Sequence, residues 1–326
     1  MTRVVVTGGA GYVGSVVTAH LLLAGHPVVV LDTLAGSGES LLGFVSHPMF
    51  RLVRGDVRNP RVVGEAVDGA DAVVHLAAVV GEPACAADEL NARSINADGT
   101  ATVLAAVTRA KVPRFILVST CSNYGVSSPD ALADEDSPLH PLGVYARSKV
   151  EAERLVLTSR AGTSACVLRF GTICGLSARM RFDLLVNDMA RAAVLGETIR
   201  IFAPEAWRPF LYIRDAARAI EWGLGTPDGD IAGRVYNVVG ENYQKKGLVD
   251  LVRRRFPETT VEVVPGVPDP RDYRVSGARI QDEGRFSPVH TVEDAFMEVA
   301  AAVQSGVFRD PTWSGHAAAP PAPQQT

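Results

Sequence analysis

Cysteine is scarce and scattered. Its four residues, Cys85, Cys121, Cys166 and Cys174, form no C-x-x-C pair, so neither a zinc ribbon nor a redox dithiol is expected. Free thiols in a reducing cytoplasm are the simplest reading, and no secretion signal is evident. An excess of basic charge is also missing. The net charge is -4, which excludes a global positive field for nucleic acid while leaving room for local clusters that hold a small anion. Nor is there an unbroken apolar run. The most apolar stretch, 16–31, is interrupted by His20, Gly25, His26 and Pro27, well short of the roughly 20 uniform residues a membrane-spanning helix needs. No internal repeat is visible. What remains is an ordinary globular composition, 47% hydrophobic and 21% charged over 326 residues, long enough for one large domain or two smaller ones.

The chain then shows a rhythm. Val4-Val5-Val6 is a short β-branched run. A helical segment follows over about 12–24, stopped by Gly25, and 28–32 is a second strand. Strand, helix, strand in about 30 residues is a βαβ unit. The pattern returns with strands near 50–53, 72–75, 114–118 and 165–168, and helices over 91–110 and 144–159. Strands apolar on both faces belong in a parallel sheet covered on both sides, so a doubly wound α/β fold of the Rossmann type is predicted over 1–175. Beyond that the rhythm loosens. Helices at 182–195 and 213–224 and short strands at 199–202, 235–238 and 261–264 make a smaller α/β substrate-binding region over 176–316, with room for a late segment to return to the sheet. The Ala/Pro/Gln tail at 317–326 reads as disordered.

Gly8-Gly9-Ala10-Gly11-Tyr12-Val13-Gly14 lies between the first strand and its helix. Glycines there allow a tight turn and a close approach of pyrophosphate to the helix N-terminus. Asp32 ends the second strand. A carboxylate there accepts from both ribose hydroxyls and repels a 2′-phosphate, and no arginine follows it, so NAD is favoured over NADP. Asp56, with Val57 beside it, ends the third strand and is a candidate adenine contact.

Tyr145 and Lys149 stand at i and i+4, on one helix face. A phenol is a poor base at neutral pH. A nearby ammonium and a positive nicotinamide favour its phenolate, which then takes a proton from a substrate alcohol. Thr120, at the end of the fifth strand, supplies a hydroxyl to fix the substrate oxygen. Taken alone, a Tyr-x-x-x-Lys pair is a poor signal, and a core-edge tyrosine with a surface lysine is its commoner explanation.

Together these residues resemble the extended short-chain dehydrogenase/reductases, specifically the NAD-dependent sugar-nucleotide epimerase/dehydratase family. The resemblance runs from Thr7 to about Phe296 and includes Gly55-Asp56, His75-Leu76-Ala77-Ala78, Asn96-x-x-Gly99-Thr100, Ser119 to Gly125, and Arg169 to Gly175. It implies Tyr145 as catalytic base and acid, Lys149 as its partner, and Thr120 as the catalytic hydroxyl. It implies cofactor contacts from Gly8, Gly11, Tyr12, Val13, Asp32, Asp56, Val57, Leu76, Ala77, Ala78, Ser119, Tyr145, Lys149 and Phe170. Asn96 is often structural in the family. For a nucleotide diphosphate sugar it implies contacts from Thr120, Ser122, Tyr124, Asn187, Arg208 and Arg271. Arg179 and Arg181 read as a solvated loop, and Glu82 either meets a sugar hydroxyl or is solvated.

The family's dehydratases carry Asp-Glu directly after the threonine, and its decarboxylases a Glu two places on. Here those places hold Cys121 and Ser122. A 4,6-dehydratase or decarboxylase is therefore disfavoured. C4 oxidation followed by 4-epimerisation is the leading expectation, ahead of a 4-dehydrogenase or 4-keto reductase, with a non-enzymatic NAD-binding regulator remote. The resemblance also implies a cytoplasmic homodimer, paired through the helices at 91–110 and 144–159. No membrane, nucleic-acid or metal partner is expected.

Overall fold

Val4-Val5-Val6 sets the pattern of the central sheet, because all three side chains are buried. The computed structural model describes residues 1–126, 132–159, 162–267, 269, 271–308 and 310–311; the predicted tail at 317–326 lies outside them. The first half alternates as read: β1 (Val4–Thr7), α1 (Tyr12–Leu23), β2 (Val28–Asp32), β3 (Phe50–Arg54), α2 (Pro60–Val67), β4 (Ala72–His75), α3 (Glu82–Ala87), α4 (Glu89–Arg93), α5 (Gly99–Ala110), β5 (Arg114–Thr120), β6 (Leu132–Ala133), α6 (Val144–Thr158) and β7 (Ser164–Phe170). The second half adds β8 (Thr172–Cys174), α7 (Leu185–Leu195), β9 (Ile199–Ile201), β10 (Trp207–Tyr212), α8 (Ile213–Gly225), α9 (Asp228–Ile231), β11 (Val235–Val238), β12 (Glu241–Gln244), α10 (Lys245–Arg255), β13 (Val261–Val263), β14 (Arg274–Val275), α11 (Ala278–Asp282) and α12 (Val292–Gln304).

Seven strands form one parallel sheet in the order β11-β7-β5-β4-β1-β2-β3. Alternation along each strand separates two cores. Val4, Val6, Val28, Val30, Ile116 and Leu168 face α1 and α8. Val5, Val29, Leu31, Phe115, Leu117 and Val167 face α2, α5 and α6. Each such side chain contributes about 1.5–3 kcal/mol through burial. The late strand β11 does return to the sheet, beside β7.

A second sheet, β12-β10-β8, and the strand pair β13-β9 make the smaller lobe, whose core joins α7, α10 and α12. Among the described residues, no helix is long and apolar enough to cross a membrane. β10 was not foreseen, because Pro209 sits inside it. The structure accommodates the missing N–H by starting the parallel ladder with β8 at Phe210, one residue later. The helix expected over 91–110 is also not continuous α. Residues 94–98 form a π turn between α4 and α5, an inserted residue of the kind found at functional sites.

The lobes are fastened by buried hydrogen bonds. Tyr12 Oη donates to the Gly175 carbonyl at 2.7 Å and accepts from the Asn187 amide at 3.0 Å. Ser15 and Ser177 hydroxyls meet at 2.9 Å.

Candidate functional site

The C-terminal ends of the parallel strands open into a cavity of about 750 Å³. Crevices of this kind are where open α/β sheets bind ligands. Every cofactor contact named from the sequence lines it: Gly8, Gly11, Tyr12, Val13, Asp32, Asp56, Val57, Leu76, Ala77, Ala78, Ser119, Tyr145, Lys149 and Phe170.

The glycine turn is built for close approach. Gly8 has φ 74°, in the left-handed region, and a Cβ there would lie 2.9 Å from Ala77 backbone atoms. At Gly14 a Cβ would sit 2.0 Å from the Gly8 carbonyl oxygen. The first turn of α1 has no side-chain cap on Gly11, so its free N–H groups face the cavity, as an anion requires. Asp32 accepts from the N–H groups of Ala10 at 3.0 Å and Leu34 at 2.8 Å. Burial raises its carboxyl above the usual value, and those two N–H groups oppose the rise. Asp56 differs. Burial pushes it up, but Arg58, at 2.6 Å, more than offsets this and leaves it lowered. An open helix N-terminus beside a strand-end carboxylate fits the pyrophosphate and adenosine ribose of NAD.

At the far end of the cavity Tyr145, Thr120, Ser122 and Lys149 come together. Desolvation, with Cys85 next, pushes the Tyr145 phenol above its ordinary value, while Arg181 and Thr120 pull it down. The phenolate that the sequence reading invoked is thus not the resting form of the protein by itself. Lys149 is 3% exposed. Burial lowers its ammonium to about 8, against the pull of Glu153.

Beneath these groups lies a buried polar network the sequence reading did not assign. Glu153 is one helical turn beyond Lys149. It pairs with Arg169 at 2.7 Å and accepts from Ser119 at 2.5 Å and Asn123 at 2.8 Å. The signal was present as the i, i+4, i+8 series Tyr145, Lys149, Glu153. His75 is buried between Thr7, at 2.7 Å, and Thr100, at 3.0 Å. Burial, then Lys149, lowers it to about 3, so it is neutral. Asn96, on the π turn, holds the loop after β4 by accepting from Val79 N–H at 2.7 Å and donating to its carbonyl at 3.0 Å. Its amide also reaches Ser148 at 2.9 Å, so Asn96 ties that loop to α6.

Three expected substrate contacts are placed elsewhere. Tyr124 turns inward, 1% exposed, with its hydroxyl 2.8 Å from Asn237 and 2.9 Å from Arg169. Asn187 is fully buried and its amide is taken up by Gly175 N–H, Tyr12 Oη and the Arg181 carbonyl. Arg208 is buried against Asp269 and the carbonyls of Trp207 and Arg271. Lys245 joins the same carboxylate at 2.6 Å. Arg271 does line the cavity, together with Asp269 and Phe202. Arg179 and Arg181, read as a solvated loop, also form part of the wall. Burial lowers the Arg179 guanidinium while Asp32 and Glu39 oppose the fall. Arg181 forks onto Asp183 at 2.7 and 2.5 Å.

The chain is similar to several known proteins. The low-salt glycan biosynthesis protein Agl12 of Haloferax volcanii is 32% identical over 274 residues, 83% of this chain and 85% of its own. A dTDP-glucose 4,6-dehydratase of Streptomyces griseus is 32% identical over 320 residues, 92% of this chain and 93% of its own. The structure of UDP-glucuronic acid 4-epimerase from Bacillus cereus matches with a TM-score of 0.83 at 23% identity, over 93% of this chain and 99% of that one; at that identity the likeness is one of fold. The family model for the NAD dependent epimerase/dehydratase family matches residues 4–239. With its glycine turn, strand-end aspartate and Tyr145–Lys149 pair in one cavity, the chain belongs to that family of NAD-dependent enzymes.

Proposed function

We propose that the protein is a nucleotide-sugar 4-epimerase. One observation carries the reading. The redox set Tyr145, Thr120 and Lys149 meets in the cavity, while the two positions after Thr120 hold no acid or base. The Cys121 thiol is 1% exposed, donates to the Arg169 carbonyl at 3.3 Å, and is pushed well above its ordinary value by burial. Ser122 is a hydroxyl. Neither removes a C5 proton or expels water at neutral pH.

Tyr145 takes the proton of the sugar C4 hydroxyl and later gives it back. Thr120 donates to the same oxygen and holds the carbon at the right depth. Because the phenol is neutral at rest, its proton must leave before turnover; Lys149, offering positive charge beneath both, and the positive nicotinamide favour the phenolate that then takes the sugar's proton. Bound NAD, held by the Gly8 to Gly14 turn and Asp32, would supply reversible hydride exchange at C4, and inversion of that centre requires the sugar to present its other face. Arg271, at the other end of the substrate path, meets the diphosphate. A cytoplasmic homodimer through α5 and α6 belongs to the same reading; Ala101, Ala105 and Leu157 on these helices are exposed.

The test is incubation of purified enzyme with candidate nucleotide sugars, following C4 configuration by NMR. Interconversion of the 4-epimers is the expected result. A ketone released with stoichiometric NADH instead makes the enzyme a 4-dehydrogenase and refutes epimerisation.

A further inference from the structure

Glu82 opens α3 and stands in the wall of the cavity that Thr120, Ser122 and Tyr145 also line. Its carboxylate lies across the first turn of the catalytic helix α6. It accepts from Tyr145 N–H at 3.4 Å and Ala146 N–H at 3.3 Å. Both contacts are long, and a carboxylate has about four acceptor sites, so capacity remains for a shorter bond from a ligand hydroxyl. Gly143 makes the placement possible. A Cβ at that position would lie 1.9–2.3 Å from the Glu82 carboxyl atoms.

The charges around it are the second observation. Asp32 and Asp56 end β2 and follow β3, at the dinucleotide end. Asp269 is held by Arg208, Lys245 and Arg271. Arg181, whose guanidinium comes within 3.9 Å of where a Gly81 Cβ would be, is already engaged by Asp183. Among the described residues no cation forms an ion pair with Glu82. The sugar end of the cavity therefore presents one carboxylate that lacks an ionic partner, next to the proposed catalytic phenol.

Resting on the nucleotide-sugar reading, we infer that Glu82 is a specificity-determining residue. Its carboxylate accepts a hydroxyl of the bound sugar and selects neutral hexoses against uronic acids. A sugar carboxylate brought beside it meets like charge at the cavity wall. A neutral sugar hydroxyl meets a carboxylate acceptor. The long contacts to α6 fix the carboxylate so that this discrimination does not depend on a mobile side chain.

UDP-glucose and UDP-glucuronic acid make a matched pair that differs in charge at C6. The NAD-loaded enzyme and its Glu82→Gln and Glu82→Ala variants are assayed with both for kcat and KM, alongside their melting temperatures. The wild type is expected to favour UDP-glucose by at least tenfold in kcat/KM. Glu82→Gln retains an amide oxygen for the α6 N–H groups and is expected to narrow that preference about tenfold, chiefly by lowering KM for the uronate. The inference is overturned if the wild type prefers the uronate, or if the ratio is the same in all three proteins. A parallel loss on both sugars with a lowered melting temperature also overturns it, since that is a purely structural role. If none of the proteins binds either compound or the matched dTDP pair, the nucleotide-sugar reading itself fails and carries this inference with it.

Discussion

Lys149→Met should make the protein more stable and at the same time inactive. Lys149 is buried, and burial lowers its ammonium from the ordinary 10.5 to about 8. Each factor of ten in that equilibrium is about 1.4 kcal/mol, so keeping Lys149 protonated in the native state costs on the order of 3 kcal/mol. The native value is depressed below the unfolded one. The cost is therefore fully present below about pH 8. It shrinks as the pH rises, because the unfolded chain then binds the proton that the native state has released. It is gone once the ordinary lysine value is passed. Methionine fills the space of the aliphatic stem without the charge. Glu153 is not orphaned, since Arg169 still pairs with it at 2.7 Å. The melting temperature at pH 7 should rise by on the order of 5 °C. At pH 9.5 the advantage should fall to about two fifths of its neutral value. Thermal unfolding by circular dichroism across that range reads both effects. A variant less stable than wild type at pH 7, or equally advantaged at both pH values, refutes the reasoning.

Tyr145→Phe should leave folding intact and reduce turnover about 10²–10⁴-fold, read as loss of NAD reduction by a nucleotide sugar that still raises the melting temperature. Gly14→Ala places a methyl group 2.0 Å from the Gly8 carbonyl and should abolish the stabilisation by NAD seen in thermal shift, whatever its effect on the apo protein. Glu153→Gln breaks a buried pair with Arg169 and should cost about 3–5 kcal/mol, measured by urea unfolding at pH 7. A companion Glu153→Gln/Arg169→Met protein should recover part of that loss, because no uncompensated guanidinium is then left behind.

The central sheet was legible because its strands are apolar on both faces and its turns carry glycine. Val4 to Thr7, Ala72 to His75 and Val235 to Val238 fall where the pattern puts them. The cofactor end was legible for a related reason. A glycine turn and a strand-end aspartate are local features, and close backbone approach is written in the residue type. The substrate end was much less so. Arg208 is a buried partner of Asp269 because an arginine's reach lets it point either way. Tyr124 goes into the core because Asn237, more than 100 residues later, offers its side chain a hydrogen bond. Glu153 was not singled out from the sequence, because it is β7 that brings Arg169 beside it. Such outcomes depend on contacts between distant segments, which spacing does not encode.

The chain crosses repeatedly between its two main sheets. β7 runs into β8 through Gly171 alone, and β11 runs into β12 through Val239 and Gly240. The seventh strand of the cofactor-binding sheet is thus encoded downstream of most of the smaller lobe's first half. A single recombination crossover near residue 175 would consequently transplant more than substrate preference. It would also replace β11, which lies against β7, so a foreign strand would have to match the host's hydrogen-bond ladder. Diversification of such a scaffold by wholesale exchange is constrained. Inheritance of new specificity is easier through substitutions scattered in the loops after β4, β5 and β8, where the cavity wall changes and the sheet does not.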